Sequence, residues 1–235
     1  MTVLHILSGG AAQGLVASLA PKFKALTGLD IEGQFGAVGA MADKLRSGTP
    51  ADIVVLTAAM IAALAQEKLV VRASISDIGL VETAIAVRVG DPMVSVGNAA
   101  ALRDAFLAAD AIFVPDTTAS TAGIHVAKVL QQLDIADEVA ARLKIFPNGA
   151  TAMRHLAETD AVRPLGCTQS TEIISTAGVI LSGSLPSGCE LSTMYTAAVT
   201  TRAVAEKQAR SLIDLLISAD QRELRERAGF LSGRK

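Results

Sequence analysis

The sequence has no Trp, one Tyr and six Phe, so aromatics make up only 3% of its 235 residues. Nor is there a basic excess: Lys and Arg number 21 against 23 Asp and Glu, a formal net charge of -2. A nucleic-acid binder needs cationic surface or stacking rings, and this chain offers neither. Two Cys in a chain of this length cannot form a disulfide framework. Cys167 and Cys189 therefore read either as one disulfide, if the protein is exported, or as two buried thiols. No apolar run approaches the ~18–20 residues that span a bilayer. The richest stretch, Ile53 to Leu64, reads instead as a buried strand entering a helix, so no membrane insertion is expected. His5, His125 and His155 have no metal-ligand spacing, and neither HExxH, GxxxxGK[ST] nor a post-strand GxGxxG occurs. No metal or cofactor is expected. Low complexity, repeats and flexible linkers are also missing. The opening MTVLHILSGG lacks a basic leader region. The expected location is periplasmic if a signal peptide has been removed, and cytoplasmic if Met1 is the native start.

What is present is 51% apolar sequence, enough for one large core or two smaller ones. Short β-branched runs alternate with longer Ala/Leu-rich segments of helical period, the pattern of an α/β protein. Strands are predicted at Val3 to Leu7, Asp30 to Phe35, Asp52 to Leu56, Val81 to Val89, Ile112 to Val114, Lys144 to Pro147, Pro164 to Gln169, Val179 to Leu185 and Leu191 to Thr200. Leu15, Leu19, Phe23 and Leu26 share one face of the first helix, which Gly28 should terminate. Asp134 is the expected N-cap of a short helix in LDIADE. The long strands near 81–89 and 191–200 are the best candidates for crossing between lobes. Lobe I then comprises 1–82 and 196–235, and lobe II 83–195.

Small residues recur where strands enter helices: SGGAAQG at 8–14, FGAVGA at 35–40, DTTASTAG at 116–123, NGAT at 148–151 and TQST at 168–171. A helix N-terminus presents unpaired N–H groups and partial positive charge. Small side chains let a ligand approach that backbone. Each such junction can hold an anion without Lys or Arg, although turns need small residues in any case.

The run SGGAAQG–helix–TGLDI–FGAVGAMADKLRSGTPADIVVL resembles the periplasmic molybdate-binding protein family, among the type II periplasmic substrate-binding proteins. TAGIHVAKVLQQL at 121–133 and LGCTQSTEI at 165–173 extend the resemblance over nearly the whole chain. It implies a two-lobed α/β fold with two crossover strands and a ligand cleft between the lobes. It also implies a monomer that binds a small anion and serves an ABC transporter permease. The implied ligand residues are Ser8, Gly9, Gly10, Ala11, Gly36, Ala37, Val38, Ser120, Thr121, Ala122 and Gln169. The family's junction hydroxyls are replaced here: Ala11 and Gly36-Ala37-Val38-Gly39 carry none, and Gln169 stands where a Tyr is usual. Unpaired oxyanion oxygens cost on the order of 1–3 kcal/mol each, so the chain reads as a branch with a ligand other than molybdate.

Ser8-Gly9-Gly10, Asp116, Ala119-Ser120, LDIADE, Gly166, Gln169 and Glu172 are similar to aconitate isomerase, which shares this fold. Arg88 is a further candidate ligand residue, able to clamp a carboxylate, and in an isomerase of a small unsaturated polycarboxylate Glu172 or Asp116 would move the proton. The binding protein is the preferred reading and the isomerase the alternative.

Overall fold

In the computed structural model, which describes residues 3–232, the elements run in order β1 (Val3–Gly9), α1 (Gln13–Thr27), β2 (Asp30–Gly36), α2 (Val38–Arg46), β3 (Ile53–Thr57), α3 (Ala58–Gln66) and β4 (Ser76–Arg88). Then follow α4 (Ala99–Ala108), β5 (Ala111–Pro115), α5 (Thr121–Gln132), α6 (Ala136–Val139), β6 (Leu143–Phe146), α7 (Gly149–Glu158), β7 (Pro164–Gln169), α8 (Ser170–Ile174) and β8 (Val179–Ser184). The chain ends with β9 (Ser192–Val199), α9 (Glu206–Ile217) and α10 (Arg222–Arg227). Met1, on which the reading of the N-terminus turns, lies outside the described residues.

Two units form: Met1–Val81 with Thr193–Lys235, and Glu82–Ser192. The chain passes from one to the other inside β4 and returns at the start of β9.

In the first unit, β1 pairs in parallel with β2 and β3, and β9 runs antiparallel beside β3. β3, with the sequence IVVLT, is buried at every residue, as a central strand covered on both faces must be. Leu15, Leu19 and Phe23 of α1 face the core, whereas Leu26, predicted on the same face, is 64% exposed. Gly28 ends α1 in the left-handed region, at φ 76°. Buried Asp52 ties the unit together. Its carboxylate accepts the N–H groups of His5 in β1 and of Val204 and Ala205 before α9, at 2.8–2.9 Å. Asp52, in the run TPADIVVL, is thus a structural clamp.

In the second unit, β5 pairs in parallel with β6 and β7, and β4 runs antiparallel to β7 and β8. Side-chain alternation divides its core. Ile85, Val87, Ile112, Val114, Leu165 and Cys167 pack with Val126, Val129 and Leu130 of α5. Ala84, Ala86, Ala111 and Phe113 pack with Ala152, Met153 and Leu156 of α7. Helices therefore cover both faces of this sheet, in the doubly wound manner. Phe146 stacks on Phe113 and on His155, at 5.9 and 4.5 Å between ring centroids. Cys167 and Cys189 are both buried free thiols. Two local expectations change. β4 begins earlier than predicted, at Ser76. Ile135, not Asp134, caps α6, because Asp134 sits at φ 54°, a left-handed conformation that Asp tolerates.

Candidate functional site

Parallel strands followed by helices place several junctions at one end of a sheet, the usual location of ligands in open α/β sheets. In the first unit this end carries Gly9 and Gly36, which are register partners, and Thr57 at the end of β3. Ser8 is fully buried, and its hydroxyl donates to Gly9 O at 2.9 Å. Gly10 and Ala11 form a single 3-10 turn leading into α1. Ala37 caps α2 without a side-chain hydrogen bond, and Val38 opens that helix. The structure brings these predicted residues together. A Cβ added at Gly9 would lie 3.0 Å from Tyr195 Cε1 and 3.3 Å from Val38 Cγ2. Tyr195, paired in register with Thr57, was missed in the sequence. Its one signal was being the chain's sole Tyr on a predicted crossing strand.

In the second unit, Phe113 pairs with Gly166 and Pro115 with Phe146, so the carboxyl ends of β5, β6 and β7 lie side by side. Ser120 caps α5 without a side-chain hydrogen bond, Thr121 is its first residue, and Ala122 is buried beneath it. Gln169 ends β7, directly opposite Thr83 of β4. Alternation puts both on the sheet face that α5 covers, the face of Ile85 and Cys167. Gln169 is 2% exposed, yet neither its amide nitrogen nor its amide oxygen has a hydrogen-bond partner. The hydroxyls of Thr83, 1% exposed, and Thr171, 2% exposed, are likewise unpartnered. Buried polar side chains are normally satisfied, and leaving one unpaired costs roughly 1–3 kcal/mol. Three such groups lie on two adjacent segments, each lacking a partner that a ligand could supply. Neither Thr83 nor Thr171 was predicted, because Thr83 reaches Gln169 only through an antiparallel register that no local pattern encodes.

Three predicted residues have other employment. Arg88 closes β4 at the end away from Thr83 and Gln169. Its guanidinium donates to Thr159 O and pairs with Asp91 Oδ1 at 3.1 Å. The carboxylate clamp expected of it is thus not assembled with Gln169: a strand of this length separates Thr83 from Arg88 by roughly 17 Å. Glu172 is buried among the N–H groups that open α7. Burial pushes its carboxyl above the usual range, opposed by the Thr168 hydroxyl, 2.6 Å away, and by the N–H groups of Ala150, Gln169 and Gly149. Asn148 Oδ1 accepts the Thr151 N–H at 2.8 Å. The NGAT junction, expected to take a ligand anion, is therefore already filled by the chain's own carboxylate. Asp116 accepts from the hydroxyl and N–H of Thr118 and from the Ala119 N–H, which hold its carboxyl below the ordinary range. A carboxylate stabilised in this way is a poor proton acceptor. Both proposed bases thus act as loop and helix anchors.

Among the described residues no group of three or more His, Cys, Asp or Glu could hold a metal ion. No described helix is long and apolar enough to cross a membrane.

The family model described as bacterial extracellular solute-binding protein matches residues 4–231. A curated relative, the aconitate isomerase of a Pseudomonas species, is 27% identical over 241 residues, covering 98% of this chain and 88% of its own. The periplasmic molybdate-binding protein of Azotobacter vinelandii superposes with a TM-score of 0.80 at 16% identity, covering 98% of this chain and 100% of its own. The sulfate-binding protein SubI of Mycobacterium tuberculosis H37Rv gives 0.75 at 18% identity, covering 98% and 86%. At these identities the structural likeness establishes the fold.

Proposed function

The chain belongs to the bacterial extracellular solute-binding protein family, and from that premise we propose that it captures a small anion, an oxyanion or small organic acid, for an ABC-type permease. The candidate ligand residues are, within the first unit, Ser8-Gly9-Gly10-Ala11 and Gly36-Ala37-Val38, and, within the second, Ser120-Thr121-Ala122 and Gln169. The observation that carries this reading is the unpartnered, buried Gln169 amide beside the equally unpartnered Thr83 and Thr171. Charge compensation comes from the N-termini of α1, α2 and α5, whose caps make no side-chain hydrogen bond. Arg88, Glu172 and Asp116 are left out, since each is bonded elsewhere.

The test is a thermal-shift panel of molybdate, tungstate, sulfate, phosphate, citrate and both aconitate isomers. A true ligand at 1,000 times its Kd stabilises by roughly 4 kcal/mol, a shift on the order of 10 °C for a chain of this size. No shift with any member of the panel sinks the proposal.

The aconitate isomerase relative supports a second reading, isomerisation of a small unsaturated polycarboxylate. That reaction needs a base, and the two carboxylates considered for it, Glu172 and Asp116, are committed to other partners. Incubation with cis-aconitate followed by proton NMR tests it: appearance of the trans isomer would favour the enzyme.

A further inference from the structure

The unfilled polar groups of the second unit restrict the kind of anion that fits. Resting on the reading of this chain as an anion binder, we propose that its ligand carries a hydroxyl donor next to its anionic oxygens, as an α-hydroxycarboxylate does.

The argument begins with the Gln169 amide. A carboxamide presents a donor and an acceptor side by side, and exchanging its oxygen and nitrogen leaves that pair intact. Both of its polar atoms are buried and without partners, so the ligand must supply an acceptor and a donor. A fully deprotonated tetrahedral oxyanion brings acceptors alone. It would satisfy the amide N–H groups and the hydroxyls of Thr83 and Thr171. It would also set one of its negative oxygens against Gln169 Oε1, where like partial charges repel. An α-hydroxycarboxylate avoids this conflict: its hydroxyl donates to Oε1 while its carboxylate accepts from Nε2.

The surroundings agree. Thr83 and Gln169 sit on the α5 face of the sheet, at the end where β5 gives way to that helix. α5 has 12 residues, and Ser120 leaves its first N–H groups without a side-chain cap. The opening of that helix, with the Thr hydroxyls, compensates carboxylate charge where Arg88 is out of reach. The opening of α7 cannot share this duty, since Glu172 and Asn148 occupy it. These groups thus combine few charge-compensating donors with one acceptor that needs a proton. Hydrogen phosphate also bears a hydroxyl, and the experiment separates it from the organic acids.

Isothermal titration calorimetry compares pairs that differ by the hydroxyl: malate with succinate, citrate with tricarballylate, and hydrogen phosphate with sulfate. A site built to bond a hydroxyl discriminates strongly against ligands lacking it. The expected result is tenfold or tighter binding of malate or citrate over its partner. That advantage should collapse in Gln169→Leu and fall several-fold in Thr83→Val, which keeps the side-chain shape. Discrimination confined to the phosphate pair would overturn the organic acid. Equal binding within every pair, or preference for sulfate, molybdate or succinate, would overturn the hydroxyl requirement and leave anion binding standing. Failure of every compound to bind would overturn both.

Discussion

The two units share one wiring diagram and use it differently. In the first, β1 lies between β2 and β3, with antiparallel β9 beside β3. In the second, β5 lies between β6 and β7, with antiparallel β4 beside β7. Thr57 opposite Tyr195 in one corresponds to Gln169 opposite Thr83 in the other. The Thr57 hydroxyl accepts the Met60 N–H and so caps α3. Gln169 caps nothing with its side chain, and its amide is unsatisfied. The second helix differs as well. α2 opens at Ala37-Val38 without a side-chain cap, whereas α7 opens against Glu172 and Asn148. Topology therefore fixes where a junction sits, and the side chains decide whether it closes on itself or stays open to a ligand.

The comparison breaks most sharply at the junction glycines. A Cβ at Gly149 would overlap the Glu172 carboxyl and the Thr168 hydroxyl, whereas one at Gly36 would meet only the movable end of the Met41 side chain, its methyl at 3.0 Å. Gly149→Ala should cost about 3 kcal/mol, a Tm drop on the order of 10 °C, and Gly36→Ala less than about 1 kcal/mol. Equal drops in thermal melts would show that α7 is not sealed as described. Next in size is Gln169→Leu, which should raise the Tm of the ligand-free protein by the equivalent of about 1 kcal/mol while weakening ligand binding at least tenfold. Thr57→Val should do the reverse to stability, losing about 1 kcal/mol with the cap. A destabilised Gln169→Leu would mean that the amide is satisfied in solution.

Glu172→Gln tests the seal by pH. The folded Glu172 carboxyl titrates above its ordinary value of 4.5 because of burial. The native state therefore holds its proton where the unfolded chain has lost it, and stability falls as pH rises through that window. The Tm advantage of the wild type over Glu172→Gln should narrow as pH rises from that value, and widening would contradict the assignment. Asp116→Asn should have the smallest effect, a few tenths of a kcal/mol at neutral pH, since an Asn oxygen can accept the same three donors. Asp116 titrates below its ordinary value of 3.8. Its contribution is thus present above that pH and lost as pH falls through the depressed value, and melts in acid should show the wild type and the variant converging.

Much of this was legible in the sequence. The α/β class, the strand and helix order and the small-residue junctions follow from periodicity and from Gly and Ser placement. Gln169 was singled out by the family resemblance, which places a ligand residue at the end of that strand. Arg88 misled because a cation at a strand end looks the same whether it faces a ligand or an Asp three residues on. Glu172 misled for a related reason: its N–H partners Gly149 and Ala150 belong to a different helix from its own. The partners of Thr83 and Tyr195 could not be read, because strand register between distant segments is set by tertiary packing.

The carboxylate that fills the mouth of α7 has a further consequence. Because Glu172 is part of the chain, its effective concentration at that mouth is fixed by the fold rather than by the medium. Ambient chloride, phosphate or sulfate cannot displace it, and salt screens a buried contact of this kind far less than an exposed one. The mouth of α7 is thus closed to dissolved anions by a carboxyl group that the chain itself supplies.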